Sequence, residues 1–82
     1  MREYSAKDGQ MLQKIVCNGC GRSLRVEGGI LKEGCCSVDM AFGYFSSRDG
    51  MRHRFDLCEE CYTNIIEKFK VPVEESEENE LL

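Results

Sequence analysis

The chain is 82 residues long, carries six cysteines and a formal net charge of −4, and fits one small domain whose core is marginal without a disulfide, a metal or a partner. The charge is uneven: residues 1–70 hold 11 Lys and Arg against 10 Asp and Glu, whereas "VPVEESEENELL", residues 71–82, holds five Glu and no base, a balance that argues against general phosphate binding. No apolar run is long enough for a membrane-spanning helix and "MREYSAKDGQ" lacks the apolar middle of a secretion signal, so a whole small cytoplasmic protein with reduced cysteines and no membrane contact is expected.

Residues 1–9 read as a loose, flexible lead-in to a domain over 10–70. "QMLQKIVC" reads as a strand ending at Cys17, with Leu12 and Val16 on one face and Met11 and Ile15 on the other. "CNGCGRS" reads as a tight turn, with Gly19 and Gly21 around its cysteines. "LRVEGGILKE" gives a short hairpin, residues 24–26 and 30–32, turning at Gly28-Gly29. In "CSVDMAFGYF", Cys36, Val38, Met40, Phe42 and Tyr44 alternate with smaller or polar residues, which indicates a strand with one buried face. A helix over 36–42 stays an alternative, because "SVDMA" holds no breaker. "SSRDG" is a turn signal. "MRHRFDL" alternates again, so the two runs are expected to pair antiparallel with one wet, basic face.

The next element is a helix. Asp56 and Glu59 form a D-x-x-E pattern like a capping box. Glu59 and Glu60 suit its first turn and Lys68 and Lys70 its last. Cys58, Cys61, Tyr62, Ile65, Ile66 and Phe69 share one face. Pro72 disfavours helix at Val71, so the helix is expected to stop near Lys70. The acidic tail, 71–82, is expected to be mobile. The expected core is Leu24, Val26, Met40, Phe42, Phe55, Leu57, Ile65 and Phe69.

Cys17-Asn-Gly-Cys20 and Cys58-Glu-Glu-Cys61 are two C-x-x-C units separated by 37 residues. Two such units supply four thiolates, the set zinc prefers in a tetrahedron. The second unit opens a helix, whose dipole favours anionic sulfur. Three other readings compete. A disulfide framework suits a secreted chain. A thioredoxin-like redox pair needs a βαβ context, and Glu59 and Glu60 oppose thiolate formation without a cation. Iron in a rubredoxin-like site uses the same four ligands.

Knuckle, β-hairpin, then a helix carrying the second C-x-x-C resembles the treble clef. "CNGCG" and "FDLCEECY" are similar to motifs of small bacterial and phage treble-clef or zinc-ribbon proteins, and the resemblance covers roughly residues 15–70. It implies an α+β fold, antiparallel β-hairpins followed by one C-terminal α-helix. It also implies one structural Zn²⁺ held by Cys17, Cys20, Cys58 and Cys61. It implies no single activity, because the fold serves nucleic-acid binding, protein binding and occasional enzymes. Nuclease versions place His and Asn in hairpin and helix; His53 is in the hairpin, but the helix has no His, so that activity is not carried over.

Cys35 and Cys36 point to opposite strand faces, which disfavours joint ligation of one metal. One buried and one more exposed thiol is expected; a second metal or redox site with His53 is the sharper alternative. His53 itself is expected as a hydrogen-bonded core histidine or one behind the metal ligands. Arg22, Arg25, Arg48, Arg52 and Arg54 are candidate nucleic-acid contacts, set against a plain solvated face paired with Asp39, Asp49 and Asp56. Leu81 and Leu82 are candidates for docking on a partner or a second copy. The expected function is a non-enzymatic, zinc-stapled adaptor or regulator that binds a protein and can form a homodimer, with exposed Tyr and Phe beside the hairpin as its mark. A nucleic-acid-binding zinc finger and a redox module are the alternatives.

Overall fold

The computed structural model describes residues 1–5 and 11–78. Three antiparallel β-hairpins precede one C-terminal helix, and a four-cysteine cluster joins the chain after the first hairpin to the helix start. Strands β1 (Arg2–Ser5) and β2 (Met11–Ile15) pair with a bulge between Glu3 and Tyr4. Strands β3 (Val26–Glu27) and β4 (Ile30–Leu31) form the second hairpin. Its turn residues Gly28 and Gly29 have φ of 59° and 81°, the doubly positive pair that glycine adopts without strain. Strands β5 (Cys35–Ala41) and β6 (Arg52–Cys58) form the third and longest, and β6 runs directly into α1 (Glu59–Ile66).

The alternation expected for the third hairpin is realised as far as Ala41; Tyr44, expected on the same buried face, lies beyond β5 and is exposed. Cys36 faces Leu57, Val38 faces Phe55 and Met40 faces His53. Residues 36–41 are therefore strand, not the alternative helix. On the other face Asp39, Arg52 and Arg54 stay exposed while Asp56 is buried.

Three expectations about elements are corrected. Residues 2–5, read as loose, are strand β1; the rest of the lead-in, 6–9, and Leu81 and Leu82 lie outside the described residues. The polar sequence "REYS" gave no alternation to read. It is held instead by non-local bonds: the Met1 amine and Arg2 Nε both reach the Asp56 carboxylate, at 3.0 and 3.1 Å. Second, Asp56 is not the helix cap. It lies inside β6, and Cys58 is the N-cap residue, its Sγ accepting the Cys61 amide. Third, α1 ends at Ile66 and leaves Lys68 and Lys70 beyond it. The amides of Lys68 and Phe69 turn back to the carbonyls of Ile65 and Ile66, a tightened last turn.

The core is smaller than expected and sits closer to the cysteines. Ile15, Cys17, Leu24, Leu57 and Cys58 are buried, with Leu12, Val26, Leu31, Phe55 and Cys61 packed against them. Met40, Ile65 and Phe69 are exposed and Phe42 is half-buried. Their periodicity is correct, but the third hairpin outruns the body that would cover it, and α1 stops one turn short of Phe69.

A four-cysteine candidate metal centre

The first pair is set by the knuckle after β2. The amide of Cys17 donates to the Arg22 carbonyl and that of Gly21 to the Cys17 carbonyl, both at 2.8 Å. The loop thus closes on itself with Gly21 at φ 81°. Gly19 is confined for a different reason: a Cβ there would meet Cys61 Sγ at 3.1 Å and Leu57 Cδ2 at 3.2 Å. The second pair is set by the β6–α1 junction, where one helical turn brings Cys58 and Cys61 to the same side.

Asn18, which the sequence reading passed over, docks one half on the other. Its amide donates to the Asp56 carbonyl at 2.7 Å, and its Oδ1 accepts the Asp56 amide at 3.0 Å. The same Oδ1 accepts the Met1 amine at 2.7 Å. A polar residue between two cysteines, opposite a strand leading to two more, is the signal that could have found it.

The four sulfurs all lie within 4.8 Å of one another, and Cys20 Sγ and Cys58 Sγ are 3.9 Å apart. Four thiolates bound at about 2.3 Å set tetrahedral edges of about 3.8 Å. The cluster therefore suits one metal ion after a small contraction. All six cysteines are free thiols, so the disulfide reading finds no bond here.

Backbone amides are already directed at sulfur. Cys17 Sγ accepts from Cys58 N (3.3 Å), Gly19 N (3.3 Å) and Cys20 N (3.4 Å), and Cys58 Sγ accepts from Cys61 N (3.5 Å). These bonds, the Cys58 amide first, lower Cys17 to about 6 against the opposing effect of burial. The Cys61 amide likewise lowers Cys58. Cys61 is pushed up to about 12 by the Cys17 and Cys58 sulfurs beside it. The site thus favours anionic sulfur on one side and crowds it on the other, and a bound cation relieves that crowding.

Arg22, on the knuckle, is tied to a carboxylate: its guanidinium grips both oxygens of Glu33, at 2.6 and 3.2 Å. Glu33 first, and then the Cys58 sulfur, hold the guanidinium more firmly protonated. Glu33 additionally accepts the Arg25 amide at 2.6 Å. Glu33 is held below the usual carboxylate range, chiefly by Arg22. A nearby cation would offset part of the excess negative charge that four thiolates leave on a divalent ion.

The other candidates are not brought together. Cys35 stands opposite Cys58 with its Sγ 3.7 Å from Ser37 Oγ, and Cys36 stands opposite Leu57; both are half-buried, not one buried and one exposed. His53 is exposed at the far end of the hairpin, edge-on to Phe42 at 5.0 Å. The expectation of a core histidine fails because the hairpin carries His53 out to an exposed position, with Phe42 beside it. Among the described residues, the four paired cysteines alone form a metal-capable group.

The arginines fall into two groups, each gathered on a carboxylate. Arg22 and the Arg25 amide meet at Glu33, with Arg25 Nε also 3.6 Å from Glu27. Arg52 and Arg54 share Asp39, at 2.7 and 3.6 Å. Arg48 instead lies over the Phe42 ring, 5.7 Å from its centroid. Asp56 pairs with Arg2 of β1 and the Met1 amine rather than with any of these five arginines. Burial alone would raise its carboxyl, but Ser37, the Met1 amine and Arg2 outweigh that and hold it low.

No protein-family model, curated protein or solved structure matches this chain. No helix of the described residues is long and apolar enough to cross a membrane.

Proposed function

We propose that the chain is a treble-clef-like module in which one structural Zn²⁺, held by Cys17, Cys20, Cys58 and Cys61, staples the knuckle to the helix so that the projecting third hairpin can bind a protein. The convergence of four sulfurs within 4.8 Å carries this reading. Four thiolates in a closed tetrahedron suit structural zinc; iron, which the same four sulfurs can hold, is the alternative that the mass measurement below separates from it. When bound, the ion supplies on the order of 10 kcal/mol or more of apparent folding energy. Among the described residues, the three buried aliphatic side chains besides the cysteines, Ile15, Leu24 and Leu57, would not readily provide that in so short a chain.

Protein contact is preferred to nucleic-acid contact on two observations. Arg22, Arg25, Arg52 and Arg54 are engaged with carboxylates. The hairpin end also exposes large apolar side chains, Tyr44 and Phe45 above all, and contiguous exposed apolar surface marks protein-binding sites. Native mass spectrometry of the purified chain tests the metal assignment: one zinc per chain is expected, and a folded chain carrying no metal, or iron in its place, overturns it.

A further inference from the structure

The end of the third hairpin is unlike the rest of the surface. Tyr44 and Phe45 are 85% and 101% exposed, with their rings 5.6 Å apart. Met40 and Met51 are exposed beside the Phe42–His53 pair. Arg48 borders this apolar end, over the Phe42 ring, and pairs with no carboxylate among the described residues, although Asp49 follows it in the turn. Arg52 and Arg54 lie on the opposite face, on Asp39. The surface is therefore apolar with one unpaired cation at its margin.

Its complement lies in the same chain. Beyond α1, Phe69, Val71 and Val73 are exposed at alternate positions, and Glu74, Glu75, Glu77 and Glu78 follow. This segment is apolar first and acidic after, with no base beyond Lys70. In one copy, residues 69–78 remain exposed and, among the described residues, Glu74 to Glu78 enter no ion pair. Ten residues of extended chain span about 33 Å, comparable to the molecule's own dimensions of 42 × 34 × 30 Å. The segment is thus long enough to leave its own body and lie across a neighbour.

We propose that the occupant of the hairpin end is the acidic segment after α1 of a second copy. Phe69, Val71 and Val73 cover the apolar end, and the glutamates meet Arg48. The contact is formed by two different patches of one chain, so two copies can exchange it reciprocally and close as a dimer. This deepens, and rests on, the reading of the third hairpin as a protein-binding element.

Sedimentation of the metal-loaded full chain over a dilution series tests the proposal. A monomer–dimer equilibrium is expected whose dissociation constant rises on the order of 10-fold from about 50 mM to about 0.5 M salt, because exposed charge pairs are screened. Removing residues 71–82, or combining Tyr44→Ser, Phe45→Ser and Arg48→Glu, is expected to leave a monomer with unchanged metal content and circular dichroism. Mixing the Arg48→Glu chain with one carrying lysine at positions 74, 75, 77 and 78 is expected to restore association. A full chain that stays monomeric at low salt overturns the proposal, and so does a dimer that survives loss of residues 71–82. Metal content separates the two failures: a zinc-loaded monomer sinks only the second-copy contact, whereas a folded metal-free chain sinks the scaffold itself.

Discussion

The four cysteines are not equivalent. Cys17 is buried and its sulfur accepts three amides, whereas Cys20 is exposed. Both replacements remove one thiolate. Cys17→Ser also misplaces the acceptor for three donors, each worth about 1 kcal/mol net. Chemical denaturation of the zinc-loaded variants should therefore show Cys17→Ser less stable than Cys20→Ser by about 2 kcal/mol or more. Arg22 gives a second prediction. A cation outside the ligand sphere tunes the ligands, and such partners typically change affinity 10–100-fold. Arg22→Gln should weaken zinc binding on the order of 10-fold in competition with a chromophoric chelator, and Arg25→Gln should leave it unchanged.

At the scale of elements, the clamp at the base of the second hairpin gives a pH prediction. Glu33 is bound by Arg22 and by the Arg25 amide, and its folded-state carboxyl lies below the ordinary 4.5. A lowered folded value contributes stability that is present above the unfolded value and is lost as pH falls through the folded one. The difference in melting temperature between the parent chain and Glu33→Gln should be constant from pH 7 to about 5 and shrink below 4.5.

Which elements could be read in advance follows from how local their causes are. The C-x-x-C spacings, the turn glycines and the alternation of β5 and β6 are local, and they placed the four-cysteine cluster and the longest hairpin. Strand β1 is held by Asp56, 54 residues from Arg2 in sequence, so "REYS" carried no sign of it. The cap was misassigned because a sulfur took the role that the D-x-x-E pattern gives to a carboxylate. Periodicity grouped Ile65 and Phe69 on one buried helix face, yet Phe69 lies beyond the end of α1 and Ile65 is exposed, because periodicity says nothing of whether a partner surface exists to cover that face.

For the whole molecule, the radius of gyration is 15.6 Å, against about 12 Å for a compact domain of this length. The projecting hairpin and the acidic segment account for the excess. Both features leave the body with little apolar burial and place its stability on the cysteine cluster. Chelation followed by far-UV circular dichroism and amide NMR tests this most directly. A metal-stapled fold loses its dispersed amide spectrum on zinc removal and regains it when one equivalent is returned. A dispersed spectrum that persists in the metal-free chain would contradict it.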